Sequence, residues 1–81
     1  MGTKLKVLSS DEVVTIFRAF GFSVQSQRGS HIKLRRDTSR EKQILIIPHH
    51  KSIPKGTLKA ILNQASHYIA STELEPHFYN V

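Results

Sequence analysis

Apolar residues recur every three to four positions early in the chain. Val13, Ile16, Phe17 and Phe20 stand at i, i+3, i+4 and i+7, one stripe of an amphipathic helix. Ser9 and Glu12 have the spacing of a capping box, and Leu8 and Val13 that of a hydrophobic staple across it. Asp11 and Glu12 suit the positive end of a helix, and Gly21 is a natural stop after its last turn. The pattern predicts a helix over 10–20. The period then changes to two. Phe22 and Val24 alternate with polar residues up to Gln27, which predicts a strand with those two side chains inward. Arg28-Gly29-Ser30 reads as a turn. His31 to Arg36 reads as a second strand, with Ile32 and Leu34 toward the core and His31, Lys33 and Arg35 on the other face. After the polar stretch Asp37–Glu41, Gln43 to Ile47 forms a third strand that Pro48 ends. Leu58, Ile61, Leu62 and Ala65 return to the helical period and predict a helix over 54–65. Ser52 is its candidate N-cap, with Pro54 near its start. Gly56 in its first turn leaves the backbone open to close approach by a ligand.

The order α-β-β-β-α predicts an α+β fold: a three-stranded antiparallel sheet, second strand central, with both helices on one face. At 81 residues, one domain over 1–81 is expected, with its core over about 7–65. The tail, 66–81, is harder to read. Ser71-Thr72-Glu73-Leu74 suggests a short helix that Pro76 limits. His67, Tyr68, Phe78 and Tyr79 read as packing or partner-contact residues. Ile44 to Ile47 would make an edge strand apolar on both faces, which needs a cover. A partner protein or a second copy is the expected cover, with the tail as the alternative.

Composition narrows the function. The longest apolar run, Ile44-Leu45-Ile46-Ile47, is far short of the roughly 18 residues that span a bilayer, and no signal peptide is evident. No membrane role and a cytoplasmic location are therefore expected. There is no cysteine, so neither a disulfide framework nor a thiolate metal site is available. Twelve Lys and Arg against six Asp and Glu leave a formal charge of +6. On so small a surface, that charge implies a polyanionic partner such as nucleic acid or an acidic protein.

His31 is the leading chemical candidate. It follows the Gly29-Ser30 turn, whose amides can face an anion, and shares its face with Lys33 and Arg35. RNA carries its own nucleophile, the 2′-hydroxyl. One imidazole can take that proton or protonate the leaving oxygen, while cations stabilise charge on the phosphoryl oxygens. His49 and His50 are candidate auxiliary residues, for phosphate contact or a second proton transfer. Their spacing matches no zinc pattern, and no metal or other cofactor is expected. Lys51, Lys55 and Lys59 cluster at the positive end of the second helix, as a clamp on an RNA backbone would. Arg28, Gly29, Ser30, Lys33 and Arg35 complete the candidate RNA contacts.

Three stretches resemble the HicA (YcfA-like) family of small ribonuclease toxins: Ser9 to Phe22, Gln27-Arg28-Gly29-Ser30-His31, and Ile47-Pro48-His49-His50 with Lys55-Gly56-Thr57-Leu58 through Ala65. Together they span about residues 7–65. The chain differs where many members have a second histidine and an aromatic, here Ile32 and Leu34, and in its tail. The resemblance implies a double-stranded-RNA-binding-domain-like fold. It implies a metal-independent mRNA interferase whose catalytic histidine falls on His31, and a HicB-type antitoxin that binds it and blocks the site. A homodimer or a hetero-oligomer with that antitoxin is compatible with the exposed edge. The alternatives are a non-catalytic RNA-binding module and a basic protein that only binds an acidic partner.

Overall fold

The computed structural model describes residues 4–80. In chain order the elements are β1 (Lys4–Leu5), α1 (Ser10–Ala19), β2 (Ser23–Arg28), β3 (His31–Asp37), β4 (Lys42–Pro48), α2 (Lys55–Ala65), α3 (Ser71–Phe78) and β5 (Tyr79–Asn80). Strands β2-β3-β4 form an antiparallel sheet with β3 central. Helices α1 and α2 pack against it. This is the expected α-β-β-β-α layout, with a third helix and a short β1–β5 ribbon added.

Both ends of α1 follow from its sequence. The Glu12 amide donates to Ser9 Oγ at 3.1 Å, and the Ser9 amide donates to Glu12 Oε1 at 2.8 Å, which closes the capping box. At the other end Gly21 has φ +94°. The Phe22 amide reaches back to the Phe17 carbonyl and the Gly21 amide to that of Arg18, both at 3.0 Å. This is a Schellman stop, and its usual apolar contact is the Phe22 ring set edge-on to Phe17 at 5.9 Å. The buried face of α1 is not the expected stripe. It runs Ser10, Val13, Val14 and Phe17, while Ile16 and Phe20 are only partly covered. Ser10 turns inward because its hydroxyl serves the loop after β4, described below.

Strand β3 buries Ile32 and Leu34, and β4 buries Leu45 and Ile47. Strand β2 departs from the alternation. Val24 opposes Leu34 but Ser26 opposes Lys33, so Gln25 is an extra residue in a bulge. Val24 is therefore on the helix side of the sheet, yet it remains 39% exposed on the outer strand. Arg28 ends β2 instead of joining the turn, leaving the two-residue link Gly29-Ser30. Gly29 takes φ +54°, as the first position of a tight hairpin of this kind requires.

Helix α2 starts after Pro54, which caps it without a side-chain hydrogen bond, so Ser52 is not the N-cap. Ile53 intervenes: its side chain is buried and its amide donates to the Leu8 carbonyl. The chain must dip into the core there before the helix can begin. Among the described residues, the tail does not meet the backbone of the β4 edge at Ile46. Gln64 of α2 does: its Oε1 accepts from the Ile46 amide at 3.2 Å and its Nε2 donates to the Ile46 carbonyl at 3.3 Å. A side-chain amide thus pairs with the strand edge as another strand would.

The tail joins the core. Ile69, Leu74 and Phe78 are buried, and Phe78 packs on Phe17 at 5.6 Å. Pro76 does not limit α3, which continues to Phe78. Burial of Leu74 and Phe78, one turn apart on the same side, holds the helix together across the proline.

Candidate active site

The sheet face away from the helices carries the residues singled out from sequence. Directly opposed residues in an antiparallel pair point to the same face, with Cβ atoms about 5 Å apart. Three rows cross this face: Arg28–His31–Pro48, Ser26–Lys33–Ile46 and Ser23–Arg35–Ile44. His31 therefore has a guanidinium-bearing neighbour across one strand gap and Lys33 two positions along its own strand. The bulge at Gln25 causes this. Without the extra residue, Gln27 would oppose His31 and Arg28 would fall in the turn.

His31 is exposed, and among the described residues its ring makes no hydrogen bond. It is open to a bound strand. Arg28 and Lys33 are exposed as well. Arg35 is different. Its Nε donates to Asp37 Oδ1 at 2.8 Å and its Nη2 to Oδ2 at 3.3 Å. The hydrogen bond with Asp37 raises the Arg35 pKa, and the same bond holds the Asp37 carboxyl below its ordinary value. Arg35 thus meets an anion only in competition with Asp37. Asp37→Asn removes that competition and one negative charge. It should tighten RNA binding about fivefold at low salt, an effect that fades as salt screens it; filter-binding titrations of both proteins check this. The ion pair favours the folded state above the ordinary carboxylate pKa. That contribution is lost as pH falls through the lowered pKa of Asp37.

The backbone of the histidine pair is fixed although both residues are exposed. The His49 amide donates to the Ser30 carbonyl at 2.6 Å, beside the hairpin turn. The His50 amide donates to Ser10 Oγ, and that hydroxyl lies 2.8 Å from the His50 carbonyl and 2.9 Å from that of Pro48. The Ser10 amide also reaches the His50 carbonyl at 3.0 Å. The start of α1 thereby pins the loop that follows β4 next to the Gly29-Ser30 turn. Ser10 was missed from sequence because a serine just after an N-cap looks like an ordinary first-turn residue.

The expected lysine group divides. Lys51 lines an open cavity with Ser9, Ser10, Asp11, His49 and His50. Lys55 and Lys59 line another with Lys4, Leu5 and Tyr79. Arg36 belongs to neither. It points to the core side, where its guanidinium binds Gln43 Oε1 at 2.7 Å, the Phe20 carbonyl at 2.7 Å and the Tyr68 carbonyl at 3.4 Å, above the Phe22 ring. Among the described residues no three His, Cys, Asp or Glu side chains are grouped to hold a metal ion. No helix among them is long and apolar enough to cross a membrane.

A family model described as HicA toxin of bacterial toxin-antitoxin matches residues 10–66. The chain belongs to the HicA toxin family. It thereby takes its place among the toxins of bacterial toxin–antitoxin systems. The HicA match runs from α1 to the end of α2 and contains the hairpin turn, His31, the histidine pair and Lys51, Lys55 and Lys59. It leaves out Lys4, α3 and Tyr79. No curated protein matches the chain.

Proposed function

We propose that this HicA family chain is a metal-independent endoribonuclease that cleaves mRNA, with His31 as its general acid/base. The observation that carries the reading is an unencumbered imidazole on an exposed sheet face, with Arg28 opposite it and Lys33 beside it. The imidazole takes the proton of an RNA 2′-hydroxyl as that oxygen bonds to the adjacent phosphorus. The bond from phosphorus to the 5′-oxygen breaks, and the leaving oxygen takes up a proton. Arg28 and Lys33 stabilise the charge that develops on the phosphoryl oxygens. Gly29 and Ser30 bring the hairpin close to the strand. His49 and His50 are auxiliary phosphate or proton-transfer groups on the same loop cluster.

The proposed partner is a HicB-type antitoxin that covers the open face and blocks His31. Ile46, 37% exposed, and the partly exposed Ile44 and Pro48 lie beside the cations. Such a face suits a protein offering both acidic and apolar groups. Incubating mRNA with purified protein in EDTA tests the nuclease reading. Strand scission is expected. Salt-sensitive binding without scission would favour the RNA-binding module, and no RNA affinity at physiological salt would leave the purely protein-binding reading.

A further inference from the structure

The two chain ends build a cationic pocket on α2. Strand β1 pairs with β5 in the register Lys4↔Asn80 and Leu5↔Tyr79, and the Lys6 amide donates to the Phe78 carbonyl at 2.8 Å. Leu5 and Phe78 are buried, so the ribbon is anchored to the core. This anchoring places Lys4 and Tyr79 against Lys55 and Lys59, one turn apart on α2. Together with Leu5 they line a cavity of about 210 Å³. Three lysine side chains therefore line one open cavity.

Among the described residues, no carboxylate forms an ion pair with these lysines. Arg35–Asp37 is the one ion pair among the described residues. Glu75 lines the adjoining cavity, which shares Lys59 and Tyr79, but makes no ion pair with Lys59. The first turn of α2 contains no acidic residue, unlike that of α1 with Asp11 and Glu12. Like charges gathered without a counter-ion disfavour the fold by mutual repulsion, and a bound anion reverses that cost. Leu5 and Tyr79 complete the lining of the pocket.

We propose that Lys4, Lys55, Lys59 and Tyr79 form a second phosphate-binding site, which holds a phosphodiester of the RNA strand away from His31. It rests on the RNA reading above and extends it to residues outside the segment matched by the family model. Pro48, the partner of His31 at the end of β4, is joined to the start of α2 by the six-residue loop 49–54, so a short segment of chain links the His31 hairpin to this pocket.

The test measures binding of a short single-stranded RNA in EDTA over a range of salt, with all proteins carrying His31→Ala so that the RNA stays intact. Lys4→Gln and Lys59→Gln are each compared with Lys42→Gln, which removes the same charge at the opposite end of β4 from Pro48. Each pocket variant should bind about fivefold more weakly and lower the salt slope by about 0.7, the value of one single-strand phosphate contact. Lys42→Gln should change little. Thermal melts confirm folding. The RNA is used with a 5′-phosphate and with a 5′-hydroxyl. Equal losses on both place an internal phosphodiester in the pocket; a loss only with the 5′-phosphate keeps the phosphate site but makes its ligand the strand end. Unchanged binding by both pocket variants, or an equal loss with Lys42→Gln, overturns the pocket alone. Absence of RNA binding in the His31→Ala parent and in wild type overturns the RNA reading itself.

Discussion

His31→Ala should lower RNA cleavage by about 10²–10⁴-fold, the range for loss of one general acid/base, and should abolish growth inhibition on expression. The protein should remain folded. His31 is exposed, lies at the first position of β3, and its side chain makes no hydrogen bond among the described residues. Its removal therefore leaves neither a cavity nor an orphaned polar group, the usual causes of large destabilisation. Affinity for RNA should change little, because Arg28, Lys33 and the lysines remain. A lower rate with retained binding assigns His31 to the chemical step; parallel loss of binding would assign it to the grip. Cleavage rates from single-turnover assays and affinities from filter binding separate the two.

Arg36→Ala should be the most damaging change at a charged residue, costing about 2–4 kcal/mol. The guanidinium satisfies Gln43, itself buried, and the Phe20 carbonyl at the end of α1, and it reaches the Tyr68 carbonyl in the segment between α2 and α3. It also stands 4.8 Å from the centroid of the Phe22 ring. One side chain thus ties the far end of β3 to α1, β4 and the tail. Its loss leaves Gln43 Oε1 and the Phe20 carbonyl without their partner, at about 1–3 kcal/mol for each group that water cannot reach, and forfeits the cation–π contact. In a domain of this size each kcal/mol shifts the melting temperature by about 4–8 °C. A thermal melt should therefore show a fall of roughly 10–25 °C. Arg36→Lys should recover little, since an ammonium cannot span three acceptors in a plane. A fall under a few degrees would show that these bonds are replaced by water.

The local signals that were legible in the sequence are those with strong short-range chemistry. The capping box at Ser9 and Glu12, the glycine stop at Gly21 and the alternation over His31 to Arg36 each specify backbone geometry within a few residues. The parts that were not legible depend on long-range pairing. Gln25 looks like any other polar strand residue, yet as a bulge it decides that Arg28 faces His31. Gln64 is an unremarkable helix residue until α2 lies beside the β4 edge. Arg36 ends the alternating run on the side of Ile32 and Leu34, and only the surroundings of Phe22, Gln43 and Phe20 show what a guanidinium does there. Pro76 reads as a limit on the short helix from Ser71, but the burial of Leu74 and Phe78 outweighs its local cost. Lys4 and Tyr79 lie 75 positions apart and meet α2 only because β1 pairs with β5.

The central claim is that His31 moves the proton of the RNA's own 2′-hydroxyl, without a metal. The most direct measurement gives wild-type protein, in EDTA, a short RNA and the same strand with 2′-deoxyribose throughout. The account predicts scission of the RNA to products ending in a 2′,3′-cyclic phosphate, none of the deoxy strand, and no scission of either by His31→Ala. Cleavage of the deoxy strand, or full cleavage of the RNA by folded His31→Ala, would contradict it.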